Sequence, residues 1–178
     1  MKGLALDLPY PSLDGIENDY CSAMIISPAY AGKYGELTAI LQYMYHSLYF
    51  EKAGLKEYSK ILDSIAITEM EHIHILGTLL LKLGVNPVFC MYPPNTDYPF
   101  NTSGILYSEL PQKIILDDIS TEMLAINDYN QMLYQLKNER VGEVIQRIKL
   151  DEELHVKTLK EMYIKLSGVN CFCGINGI

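Results

Sequence analysis

Thr68-Glu69-Met70-Glu71-His72 and Asp151-Glu152-Glu153-Leu154-His155 decide the fold. Each carries Glu-x-x-His, and each follows a lone glutamate, Glu36 or Glu122, by about thirty residues. Residues three apart on a helix project from one face, so each pair aims a carboxylate and an imidazole at a common point. The lone glutamates would supply bridging or capping carboxylates. Four carboxylates with two imidazoles suit two divalent first-row metals inside a helix bundle. The halves also agree around the first ligand: Glu36 to Tyr43 and Glu122 to Tyr129 share Glu-x-x-Ala-Ile-x-x-Tyr, the pattern of a duplicated helical hairpin.

Working outward from these motifs gives four long helices. Ser27-Pro28 reads as an N-cap followed by proline at N1, opening a first helix that runs to about Lys52, ahead of Gly54. The second runs from about Lys56 to Leu83 and stops at Gly84. Val85 to Leu110 holds Pro87, Pro93, Pro94 and Pro99 and cannot be regular helix. A connection this long within one domain needs a structural task, and a crossover spanning the length of a bundle provides it. The third helix begins near Pro111 and reaches about Lys137. The fourth runs from about Glu139 to Leu166, with Gly168 as its stop. The reading is an all-α four-helix bundle: an N-terminal arm over 1–27, the bundle over 28–167, and a Cys- and Gly-containing tail over 168–178.

Phase decides where the ligands point. Leu62, Ile65, Glu69, His72, Leu76, Leu79 and Leu83 form one stripe at three/four spacing, and Val141, Ile145, Ile148, Glu152, His155, Leu159, Met162 and Leu166 repeat it. Glu36, Ile40, Tyr43 and Ser47 share a face of the first helix, and Ile115, Ile119, Glu122, Ile126, Tyr129 and Leu133 a face of the third. Buried carboxylates at one level are too costly to stand uncompensated, and metal ions resolve the cost. A competing frame, Glu71 and His74, lies on the more polar stripe Ser64, Ile67, Thr78 and reads as surface or outer-sphere. Asp151 either accepts the second ring N–H of His72 or is solvated. Tyr43 and Tyr129 hydrogen-bond ligand carboxylates, relay electrons, or simply pack. His46 has no carboxylate at matching spacing and reads as structural. Tyr45, Leu48 and Tyr49 lie off the core stripe, which suggests a homo-oligomer interface or cover by the arm or crossover.

The chain has 178 residues, a formal charge of −8 and a pI near 4.9. That is enough for one sizeable core, and the wrong sign for nucleic acid or an anionic membrane. No run approaches the ~20 apolar residues that span a bilayer, and Met1 to Leu8 is too short and polar for a signal segment. Cys21, Cys90, Cys171 and Cys173 form no Cys-x-x-Cys pair, so a reducing cytoplasm fits best and Cys171/Cys173 read as a reduced flexible tail.

The doubled motifs resemble the ferritin-like superfamily of di-iron and di-manganese carboxylate proteins over about Ser27 to Leu166. Ile67 to Gly77 is similar to the second-helix motif of rubrerythrins, bacterioferritins and manganese-catalase-like spore coat proteins. The resemblance implies one metal at Glu36, Glu69 and His72, and another at Glu122, Glu152 and His155, with Glu69 and Glu152 able to bridge. It implies two iron or manganese ions and activity on hydrogen peroxide or dioxygen, with or without an external electron donor. Rubrerythrins carry a rubredoxin domain and an extra glutamate near the third-helix ligand; here there is no such domain and position 125 is Ala. Cage-forming ferritins add a fifth helix after the bundle, for which the tail is short. The expectation is a peroxide-reducing or peroxide-disproportionating oxidoreductase, with ferroxidase/iron binding or a structural spore-coat role as alternatives.

Overall fold

The computed structural model describes residues 2–92 and 95–168; the Cys171/Cys173 tail lies outside the described residues. Four long helices make the bundle: α2 (Glu36–Lys52), α3 (Lys56–Lys82), α4 (Pro111–Gln135) and α5 (Glu139–Ser167), preceded by a shorter α1 (Tyr20–Ala31). Ala53–Leu55 and Leu136–Asn138 are too short for anything but antiparallel hairpins, so α2 packs along α3 and α4 along α5. The two hairpins meet through α2 with α4 and α3 with α5, as a duplicated unit would.

The first helix does not begin at Ser27-Pro28. Asp19 caps α1 instead, its carboxylate accepting from the Ser22 N–H at 3.0 Å. Pro28 sits inside that helix, where its missing N–H would leave the Met24 carbonyl without a partner. The Ser27 hydroxyl takes that carbonyl at 3.3 Å, so the serine that reads as a cap covers the gap the proline makes. Helicity breaks at Gly32 and Gly35 because the chain passes tightly back over α1. A Cβ would fall 2.3 Å from the Pro28 carbonyl oxygen at Gly32 and 2.5 Å from that of Ala29 at Gly35. The restart puts Glu36 at the first turn of α2, where the helix dipole favours a carboxylate.

The crossover from α3 to α4 includes a small antiparallel hairpin, β1 (Cys90–Tyr92) with β2 (Asn95–Pro99), and a 3-10 turn at Thr102–Gly104. The hairpin escapes a periodicity reading because both strands are very short. On the far side of α2, Tyr45 meets Tyr107 of the crossover edge-on, with ring centroids 5.0 Å apart, whereas Leu48 stays 62% exposed.

Two apolar clusters fill the bundle. One joins Ile26 of α1 to Leu76, Leu79, Val144, Ile145 and Ile148; the other gathers Tyr43, Phe50, Leu62, Ile65, Ile115 and Leu159. Glu69 and His72 fall between Ile65 and Leu76 on α3, and Glu152 and His155 between Ile148 and Leu159 on α5. The polar site therefore interrupts the core at mid-bundle. Each fully buried Leu or Ile around it contributes roughly 1.5–3 kcal/mol, which offsets the cost of burying ionisable groups between the clusters.

Candidate metal centre

The six residues read from the duplicated motifs converge. Glu36, Glu69, His72, Glu122, Glu152 and His155 are all at most 5% exposed. They form two overlapping groups, Glu36/Glu69/His72/Glu152 and Glu69/Glu122/Glu152/His155, whose ligating atoms within each group lie within 4.8 Å of one another. Glu69 and Glu152 belong to both groups; the lone glutamates Glu36 and Glu122 belong to one each. Glu71 and His74, one helical frame away, are exposed.

Each imidazole turns its Nδ1 inward onto three carboxylates. His72 Nδ1 lies 2.9 Å from Glu69, 3.1 Å from Glu152 and 3.7 Å from Glu36. His155 Nδ1 lies 3.0 Å from Glu69, 3.0 Å from Glu152 and 3.6 Å from Glu122. The outer nitrogens each face an acceptor. His155 Nε2 is 2.9 Å from the Leu4 carbonyl oxygen, which only accepts, so Nε2 carries the proton. His72 Nε2 is 3.2 Å from Asp151 Oδ2. With its proton on Nε2 and none on Nδ1, an imidazole so held would point a lone pair at the glutamates. Those lone pairs and carboxylates repel unless cations stand between them, and Glu69 Oε1 and Glu152 Oε1 are buried without hydrogen-bond donors. The donor set therefore fits bound metal.

Charge is distributed in the same sense. Burial pushes the Glu36 and Glu122 carboxyls well above the usual range, and neighbouring glutamates add to it. At Glu69 burial also pushes up, but His155 and His72 outweigh it and hold the carboxyl low. Burial alone would depress both imidazoles, yet the surrounding carboxylates carry both well above the ordinary histidine value. Without a metal, protons shared among these groups supply the positive charge that the site demands.

Two tyrosines cross between the halves. Tyr43 of α2 donates to Glu122 Oε1 on α4, and Tyr129 of α4 donates to Glu36 Oε1 on α2. Both phenols are buried, and desolvation pushes their ionisation far up, so they remain donors.

Several residues around the centre carry little sequence signal. Arg147, one turn before Asp151, is buried, with Nη1 2.7 Å from Asp151 Oδ2 in an ionic contact and no directed hydrogen bond from that nitrogen. An arginine four residues before an aspartate, each directly preceding a residue of the core stripe, is the signal that the sequence holds. His46 is buried between Asp118 Oδ1 and the Leu106 carbonyl, each at 2.8 Å, and Gln42 donates to the same Asp118 oxygen at 2.9 Å. The carboxylate partner of His46 thus comes from α4, where spacing along α2 could not reveal it.

A cavity of about 300 Å³ opens between α2 and α4 at the Gly32–Gly35 break and reaches Glu36, Glu69, Glu122 and Glu152. Ala39, Ala125, Tyr129 and Met132 contribute to its walls, and Lys33, Tyr34 and Asp128 also line it. Its volume is at the lower end for small-molecule pockets. Among the described residues no helix is long and apolar enough to cross a membrane.

Solved structures share this architecture. KatB, a manganese catalase from Anabaena, superposes with a TM-score of 0.78 at 20% identity, covering 97% of this chain and 85% of its own. The Rhodobacter capsulatus bacterioferritin, described with a metal-free dinuclear site and a haem iron, gives 0.71 at 20% identity over 91% and 99%. A Desulfovibrio desulfuricans bacterioferritin, whose diiron site was captured in different catalytic states, gives 0.69 at 21% over 83% and 81%. No curated protein matches by sequence. The profile of the ferritin-like domain matches residues 35–169, from the turn before Glu36 to just past the end of α5, and this chain belongs to that family.

Proposed function

We propose that the chain is a dinuclear iron or manganese oxidoreductase acting on hydrogen peroxide or dioxygen. The observation that carries this reading is the pair of ligand groups sharing Glu69 and Glu152 beside a cavity that reaches them. Glu36 and His72 would hold one ion, Glu122 and His155 the other, with Glu69 and Glu152 between them. Two such ions supply a two-electron exchange with an O–O bond.

The chain's own groups prepare that chemistry. Tyr43 and Tyr129 hold the outer carboxylate oxygens of Glu122 and Glu36 by donated hydrogen bonds, and so position them as charge at the centre changes. Apolar walls at Ala39, Ala125 and Met132 admit a small neutral molecule and limit bulk water. Disproportionation would return dioxygen and water from two peroxides; with an external donor, peroxide would be reduced to two waters and the donor oxidised by two electrons.

A second reading, ferroxidase and iron binding, draws support from the bacterioferritin likeness, which covers 99% of the Rhodobacter capsulatus chain. Oxygen evolution from peroxide by the manganese-loaded protein, beside peroxide-driven oxidation of a reduced donor by the iron-loaded protein, tests the proposal. If both stay at the level of free metal while many ferric ions accumulate per chain, iron handling replaces it; if none of these occurs, a structural coat role does. We also propose a homo-oligomer joined partly through α2, where Met44 and Leu48 are 49% and 62% exposed. A monomer by sedimentation at micromolar concentration refutes this, and Leu48→Glu is expected to weaken assembly without removing metal.

A further inference from the structure

The duplicated motif breaks its own symmetry beside the metal site. The residue before Glu152 is Asp151, which meets His72 Nε2. The residue before Glu69 is Thr68, whose hydroxyl bonds the Ser64 carbonyl at 3.3 Å. The corresponding partner for His155 comes from the opposite end of the chain, the Leu4 carbonyl at 2.9 Å from Nε2.

The segment that brings Leu4 there is tied to both metal-facing helices. Leu4 donates its N–H to the Ser64 carbonyl of α3 at 3.0 Å. Gly3 passes so close that a Cβ would lie 2.8 Å from Thr68 Oγ1 and 3.3 Å from the Thr68 nitrogen. The segment then crosses to α5, where the Leu6 N–H donates to Asp151 Oδ1 at 2.8 Å and the Tyr10 hydroxyl to Asp151 Oδ2 at 2.7 Å. Arg147 secures it by donating to the Leu6 and Leu8 carbonyls at 3.0 and 2.9 Å, with its guanidinium 4.4 Å over the Tyr10 ring. Leu8 is 53% exposed and Leu4 and Leu6 are only partly buried. Directed polar bonds ending on site residues therefore do much of the holding.

We propose that residues 2–10 are part of the metal site: a strap whose Leu4 carbonyl orients His155, and whose Leu6 N–H and Tyr10 hydroxyl fix the Asp151 that orients His72. The inference rests on the reading of the six-residue cluster as a metal centre. A partner on the outer ring nitrogen fixes the tautomer and ring direction that metal binding needs and raises the basicity of the inner nitrogen. Strap docking and metal binding consequently reinforce one another, each strengthening the other by the same factor. Leu4, Leu6 and Tyr10 are positioning residues acting through His155 and Asp151.

The test is manganese(II) affinity, measured by competition with a chelator, for the natural chain and for Gly3→Val. Hydrogen exchange at the Leu4 and Leu6 amides of the natural chain is followed in parallel, with and without manganese(II). If the natural chain does not bind manganese(II), anoxic iron(II) takes its place in both measurements. Gly3→Val should bind roughly ten- to hundredfold more weakly, and metal should slow exchange at both amides. Where the variant does not fold, the exchange measurement alone decides. Equal affinity in a folded variant, or exchange indifferent to metal, overturns the strap while leaving the metal centre standing. A natural chain that binds neither ion overturns the metal centre first, and the strap with it.

Discussion

Glu69→Gln removes one charge from the middle of the centre and preserves its shape. Glu69 stands in both ligand groups, its two oxygens 2.9 and 3.0 Å from the inward nitrogens of His72 and His155. A unit charge pair about 4 Å apart at an effective dielectric near 20 is worth roughly 4 kcal/mol. Each factor of ten in binding corresponds to about 1.4 kcal/mol. Loss of the charge should thus weaken metal binding by about a thousandfold, more than loss of an outer-sphere contact would produce. The assay is chelator competition for manganese(II) or iron(II). Thermal unfolding in excess chelator, with helix content by circular dichroism, separates lost metal from lost fold. Glu71→Gln is the control, because Glu71 is exposed one frame away on the same helix. Unchanged affinity in Glu69→Gln, or an equal loss in Glu71→Gln, would refute the assignment of the helical frame.

Ala125→Phe places a ring in the wall of the cavity between α2 and α4. It should lower peroxide consumption by about tenfold or more, equivalent to about 1.4 kcal/mol of barrier, with metal content unchanged by elemental analysis; full turnover in the variant would mean that substrate enters elsewhere. Asp19→Ala removes the cap of α1 and the carboxylate that Asn138 meets at 3.1 Å, and should cost about 1 kcal/mol in denaturant unfolding near neutral pH. Hydrogen bonds from Ser22 and Asn138 hold the Asp19 carboxyl below its ordinary value of 3.8. Its contribution is then complete above that value and fades as pH falls through the lower folded one, so natural chain and variant should converge in strong acid; a gap that widens there contradicts the capping role.

What the sequence determined by itself is what local periodicity encodes. Helical spacing of 3.6 residues obliges Glu69 and His72, and Glu152 and His155, to share a face with Leu62, Ile65, Ile148 and Leu159. The duplication around Glu36 and Glu122 required the two hairpins to present matching faces, and short links at Ala53–Leu55 and Leu136–Asn138 made each hairpin antiparallel. These readings depend only on neighbours within a few turns. The tertiary structure decided everything that joins distant segments. It brought Glu69 and Glu152 into both ligand groups, where spacing alone offered the lone glutamates as bridging or capping, and it showed that Tyr43 and Tyr129 exchange partners across the halves and that Asp118 of α4 meets His46. It also decided that Pro28 lies within a helix rather than at its start. The clearest case is His155, whose outer nitrogen finds the Leu4 carbonyl 151 positions away. A backbone carbonyl is present at every residue and leaves no mark in a sequence, so only the packing of the chain could show which one completes the site.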